Sequence, residues 1–123
     1  MAGAALGVPA GRVDPTLVIA IEDGFPVGAA WFRLFSRDKP GYGFVDEATP
    51  ELAIAVVPSR RGRGIGDALL ASLLGRARNA GYPALSLCVD KRNDGAIRVY
   101  GRHGFERTSE HDDTLTLRAP LAL

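Results

Sequence analysis

The chain has one cysteine, Cys88, among its 123 residues. A single thiol excludes an internal disulfide and fits a reducing compartment, the cytoplasm. Histidine is almost as scarce. His103 and His111 stand at no ligand spacing from other histidines, cysteines or carboxylates, so no metal is expected. No apolar run approaches the roughly 20 residues of a membrane helix. The opening MAGAALGVPAG lacks the basic region and the strong apolar segment of a signal peptide. Lysine occurs only as Lys39 and Lys91, so arginine carries nearly all the positive charge. The net charge of +1 gives no global pull toward nucleic acid or an acidic membrane. What is present is a length that supports one real core and is too short for two. Hydrophobic residues at 46% and charged residues at 24% are the profile of a globular protein.

The positive charge is concentrated. Arg60, Arg61 and Arg63 fall within four positions, inside the stretch Pro58-Ser59-Arg60-Arg61-Gly62-Arg63-Gly64-Ile65-Gly66-Asp67. The apolar run 52–57 leads into it, and a segment with helical period, 65–80, leads out of it. The pattern predicts strand, glycine- and arginine-rich loop, helix. Glycines allow sharp turns and close approach of a ligand. A helix N-terminus adds unpaired N–H groups and a partial positive charge, and together these make an anion site. The loop lacks the Gly-Lys-Ser/Thr ending of a nucleoside-triphosphate site and the G-x-G-x-x-G spacing of a dinucleotide fold. A diphosphate that needs neither magnesium nor hydrolysis fits better. The plain alternative is a solvated loop that only starts a helix.

In chain order, residues 1–14 are rich in Ala, Gly and Pro and read as a loose arm, with one domain over 15–123. The segments 16–22 and 27–35 flank Asp23-Gly24 and form a hairpin. A loop with Pro40, Gly41, Gly43 and Pro50 leads to a third strand, 51–57, whose continuous apolar character predicts a central position and burial on both faces. The helix 65–80 ends at Gly81, and a fourth strand spans 84–90. Strand–helix–strand implies a parallel pair with a right-handed crossover. Asn93 or Asp94 caps a short helix running to about His103, and two strands, 105–109 and 114–118, close the chain as a hairpin. The expected fold class is α/β (α+β): a mixed, mostly antiparallel central sheet, order β-β-β-α-β-α-β-β.

Two motifs now stand in order. Arg61, Gly64 and Gly66 match Gln/Arg-x-x-Gly-x-Gly/Ala between a strand and a helix. Asn93, Ala96, Tyr100, Gly104 and Phe105 match a second motif that ends in Tyr-x-x-x-Gly-Phe, one helix and one strand downstream. With Val27-Gly28 after the first turn and the long apolar third strand, the chain resembles the GNAT superfamily of acyl-CoA-dependent N-acyltransferases over roughly residues 16–119. The resemblance implies acetyl transfer from acetyl-CoA, a cosubstrate, to the primary amine of a small-molecule or peptide acceptor, with a non-catalytic acyl-CoA-binding or regulatory module as the alternative. It implies that backbone amides of Arg61, Gly62, Arg63, Gly64, Ile65 and Gly66 hold the coenzyme pyrophosphate. Main-chain groups near Ala55, Val56 and Val57 would pair with the pantetheine arm, in a gap between the third and fourth strands, and Asn93 would bond the coenzyme.

In the same way, Tyr100 would donate a proton to the departing thiolate, since a phenol is a neutral donor at pH 7. The plain alternative for Tyr100 is a core-facing aromatic. Glu51, at the start of the third strand, matches the placement of a general base in some family members; its alternative is a solvated strand-end carboxylate. Asp46 and Glu47 are weaker candidates, and the acidic loop hints at a cationic acceptor. Cys88 reads as core. One departure is large. The family's domain opens with a strand and one or two helices, whereas about 15 residues unlike that unit precede Thr16. Either the chain starts late, or a second subunit covers the gap as in a homodimer, or the domain is a minimal one with an open cleft.

Overall fold

A computed structural model describes residues 16–121; the arm expected over 1–14 lies outside them. Six strands form one sheet: β1 (Leu17–Glu22), β2 (Phe25–Arg33), β3 (Glu51–Val56), β4 (Ala84–Asp90), β5 (Glu106–His111) and β6 (Thr114–Pro120). Two helices join them, α1 (Ile65–Asn79) and α2 (Asp94–Arg102). The strands lie in the order β1-β2-β3-β4-β6-β5, so β1 and β5 are the edges and β3 is central. All neighbours pair antiparallel except β3 with β4. The mixed, mostly antiparallel sheet therefore matches the expectation from sequence.

The first hairpin begins pairing at once, Glu22 with Phe25, two residues earlier than the composition predicts. Asp23 and Gly24 both take positive φ, 53° and 82°, and that two-residue turn carries the right-handed twist of the strands across the gap. Pro26 has no N–H to give, and the register slips beside it, between Ala20 and Ile21.

The core lies on one side of the sheet. Leu69, Leu70, Leu73, Leu74 and Ala77, the buried stripe of α1, pack on Ala30, Phe32, Leu52, Leu85 and Leu87. Alternate residues of a strand face opposite ways. Leu52, Ile54 and Val56 accordingly face this core, and Glu51, Ala53 and Ala55 point to the other side. Burial of β3 on both faces is contradicted: Ala53 and Ala55 are exposed. The strand is central, but no helix among the described residues packs on its outer face. Small apolar side chains left open there read in sequence like those of a buried strand. Cys88, expected in the core, lies on the same outer face of β4 as Ser86 and is only half buried.

Gly28 sets how closely α1 approaches. A Cβ there would lie 3.1 Å from Ala55 O, 3.1 Å from Leu69 Cδ1 and 3.2 Å from Ile65 Cγ2. The missing side chain lets the first turn of α1 press against β2 and β3, which places the arginine-rich loop beside the end of β3.

Candidate functional site

The decisive local feature is how little β3 and β4 touch. They share one rung, Glu51 with Ser86, backed by Ser86 N–H donating to Pro50 O at 3.0 Å. Beyond that rung the strands part, so the edge of β3 from Leu52 to Val56 has no strand opposite it. The parting opens a cleft of about 570 Å³, floored by Ile54, Ala55 and Val56. The arginine–glycine loop and the first turn of α1 form one wall. Asn93, Gly95, Ala96, Val99, Tyr100 and Arg102, from the start of α2 to its end, form the other.

The first wall is built for an anion. After a short 3-10 turn, Pro58–Arg60, the chain takes positive φ at Gly62 (76°) and at Gly64 (82°), which caps α1. No side chain caps the helix, so its first amides are left for another acceptor. Gly66 has no such backbone need. A Cβ added there, or at Gly62 or Gly64, would meet nothing within 4 Å, so the cradle is open on the cleft side. The guanidinium groups are fixed from behind. Arg60 Nε donates to Glu22 Oε1 at 2.7 Å, Arg63 lies 3.5 Å from the same oxygen, and Arg61 Nε donates to Val56 O at 3.3 Å.

The second wall supplies a donor and an acid. Asn93 Oδ1 accepts the Ala96 N–H at 3.1 Å and so caps α2. Among the described residues its side-chain nitrogen has no hydrogen-bond partner. Tyr100 packs edge-on against Phe105, with ring centroids 5.9 Å apart, and its phenol likewise bonds no described residue. Burial pushes the Tyr100 hydroxyl above the usual phenol range, which keeps it protonated. The two walls are pinned together at one end: Asp67 in α1 accepts from Arg102 Nη2 at 3.0 Å and lies 2.8 Å from His103 Nε2.

Of the residues singled out in sequence, Val56, Arg61, Gly62, Gly64, Ile65, Gly66, Asn93 and Tyr100 line this one cleft. Arg63 is turned to Glu22. Val57 is exposed, and its N–H donates to Val27 O at 2.8 Å. Glu51 lies outside the lining, three residues down β3 from Ile54, at the rung where the gap closes. Burial raises its carboxyl above the usual range, and the Gly43 amide offsets part of that shift. Sequence reading passed over Ile54, Asp67, Val99 and Arg102. Asp67 and Arg102 are 35 positions apart, and no local pattern marks such a pair. Val99 stands three residues after Ala96, a spacing that puts both on one face of the helix. Among the described residues no group of His, Cys, Asp and Glu is placed to hold a metal.

A sequence model of the Acetyltransferase (GNAT) family matches residues 6–105. The mycothiol acetyltransferase of Acidimicrobium ferrooxidans is 33% identical over 112 residues, which are 89% of this chain and 34% of that protein. The chain thus spans about a quarter to a third of the length of the curated relatives it matches. Among solved structures, a phosphinothricin acetyltransferase from Sinorhizobium meliloti in complex with acetyl-CoA is 27% identical, with a TM-score of 0.70 over 85% of this chain and 60% of that one. The ribosomal-protein-alanine N-acetyltransferase of Brucella melitensis is 26% identical, with a TM-score of 0.71 over 85% and 67%.

Proposed function

Because this chain belongs to the acetyltransferase (GNAT) family, we propose that it moves an acetyl group from acetyl-CoA to a primary amine by direct attack. The observation that carries this reading is the single cleft that joins an uncapped, arginine-flanked helix N-terminus to the Tyr100 phenol along an unpaired strand edge. The amides of 62–66 and the end of α1 hold the pyrophosphate. The open edge of β3 pairs with the amides of the pantetheine arm, as a missing strand would, and Asn93 donates to it from the facing wall. Main-chain N–H groups on that edge polarise the thioester carbonyl as charge develops on its oxygen. Glu51 takes the proton from the acceptor's ammonium, the freed lone pair attacks the carbonyl carbon, Tyr100 protonates the thiolate as the C–S bond breaks, and the second proton shed by the nitrogen restores the Tyr100 phenol.

The acceptor is a small molecule or a peptide. The relatives support that class, since their names include mycothiol, phosphinothricin and a protein alanine. The single cysteine supports a cytoplasmic setting. A second reading, a non-catalytic acyl-CoA-binding module, draws on the exposed outer face of β3, where Ala53 and Ala55 give an acceptor few walls. Thiol release from acetyl-CoA with a panel of primary amines separates the two. Amine-dependent release supports transfer; tight acetyl-CoA binding with no release from any amine supports the module.

A further inference from the structure

Two buried side-chain oxygens among the described residues have no hydrogen-bond partner, Glu51 Oε1 and Ser86 Oγ. Buried polar atoms are nearly always paired, and each one left alone costs free energy. These two are not scattered. Glu51 and Ser86 are the one matched pair that joins β3 to β4. Paired residues share a face of the sheet, and adjacent strands run ~5 Å apart. A carboxyl group on two methylenes reaches across that distance to a serine hydroxyl by turning about its side-chain bonds. Ser86 is fully buried and cannot turn to solvent instead.

In this structure the two oxygens form no hydrogen bond with each other, and the loop at 41–43 lies over the rung. A Cβ at Gly41 would fall 2.1 Å from Glu51 Oε1, and one at Gly43 would fall 2.6 Å from the Leu87 carbonyl carbon. Both glycines let the loop close down over the rung. The charged side chains on the same face are Arg33, paired across from Glu51, Arg118, paired across from Ser86, Glu106, paired with Arg118, and Asp90, farther along β4. Asp46 and Glu47 of the covering loop are turned to backbone amides, those of Ala48 and Arg37.

We propose that Ser86 is the positioning residue for Glu51, its hydroxyl serving as the hydrogen-bond partner of the carboxyl group in both protonation states. The chemistry suits a hydroxyl, which both donates and accepts. While Glu51 is ionised, Ser86 O–H donates to it. When the acceptor's ammonium passes its proton to Glu51, the amine keeps the lone pair that attacks the thioester carbonyl. The new carboxyl O–H then donates to Ser86 Oγ. The proton has one origin and one destination, and no other reagent is consumed. This inference rests on the reading of Glu51 as the base.

The test has a part that needs no turnover. Carbon-13 carboxyl resonances of glutamate-labelled protein give the titration midpoint of Glu51, assigned by its loss in Glu51→Gln. Ser86→Ala removes a donor to the ionised form and moves that midpoint upward by roughly half a pH unit or more. Ser86→Cys, which keeps the side-chain shape with a larger atom and bonds more weakly, falls between. With a primary amine that the wild type acetylates, Ser86→Ala lowers kcat/KM about tenfold. It moves the acid limb in the same direction as the midpoint and leaves the acetyl-CoA Kd within about twofold. Glu51 midpoints unchanged in both variants overturn the contact, whatever the activity. A shifted midpoint with an unchanged pH–rate profile overturns the positioning role while leaving the contact. Should no amine be acetylated, the midpoint still decides the contact, and the failure belongs to the proposed function.

Discussion

The Asp67 carboxylate lies 2.8 Å from His103 Nε2 and 3.0 Å from Arg102 Nη2, and so ties the first turn of α1 to the end of α2 across the mouth of the cleft. The hydrogen bond to His103, and then that to Arg102, hold the Asp67 carboxyl below the usual aspartate range. A depressed carboxyl pKa contributes stability above the ordinary value, ~3.9, and that contribution is lost as pH falls through the lowered native value. Asp67→Asn should therefore lower Tm at pH 7, by a small amount because the pair is open to solvent. The difference from wild type should shrink toward zero as the medium is acidified past the titration of Asp67. Thermal unfolding across a pH series measures it; a difference that persists at the acid end contradicts the tie.

Gly66 separates what the fold needs from what the ligand needs. Its φ is ordinary and its added Cβ meets nothing, so Gly66→Ala should leave the free protein as stable or raise its stability by ~0.5–1 kcal/mol, the usual preference for alanine over glycine in a helix. The same methyl group projects into the anion cradle and should weaken acetyl-CoA binding at least several-fold. Opposite signs in unfolding and calorimetry are the expected pair of results. Gly64→Glu should abolish binding outright by size and charge, but it also strains a residue with φ of 82°.

Gly41→Ala tests Glu51 without removing it. The new Cβ would fall 2.1 Å from Glu51 Oε1 and 2.9 Å from Phe35 Cε2, so the carboxyl group must move. kcat/KM for an accepted amine should fall roughly 10–100-fold, less than the loss of a general base because the carboxyl group is displaced and not removed, with acetyl-CoA affinity unchanged. Unaltered turnover would place the base elsewhere.

Most of the sheet and the first wall of the site were legible in the chain. The Arg61-to-Gly66 loop and the Asn93-to-Phe105 stretch are continuous in sequence, so local spacing places both at helix starts, and the helix cap at Asn93 and the anion cradle follow. The outer face of β3 was not legible: Ala53 and Ala55 alternate with core residues, and periodicity does not say whether anything covers the second face. The Asp67–His103 tie and the Glu51–Ser86 rung join positions more than 30 residues apart. They depend on how far apart β3 and β4 run, and that is set by tertiary packing.

Tyr100→Phe keeps the ring contact with Phe105 and removes only the hydroxyl. kcat should fall by roughly 10²–10³, as when a general acid is deleted, with the acetyl-CoA Kd within about twofold. Burial raises the Tyr100 pKa above the usual phenol range, so any alkaline loss of kcat caused by this group should be centred above that of an exposed tyrosine. A full-rate variant would remove Tyr100 from the mechanism.

The most direct measurement is calorimetric titration of acetyl-CoA into the wild-type chain and into Gly66→Leu, whose Cβ meets no other atom and whose side chain occupies the cradle. One site per chain is expected in the wild type, and a loss of binding in the variant with Tm unchanged or raised. No binding by the wild type, or equal binding by both proteins, would contradict the cleft as the acetyl-CoA site.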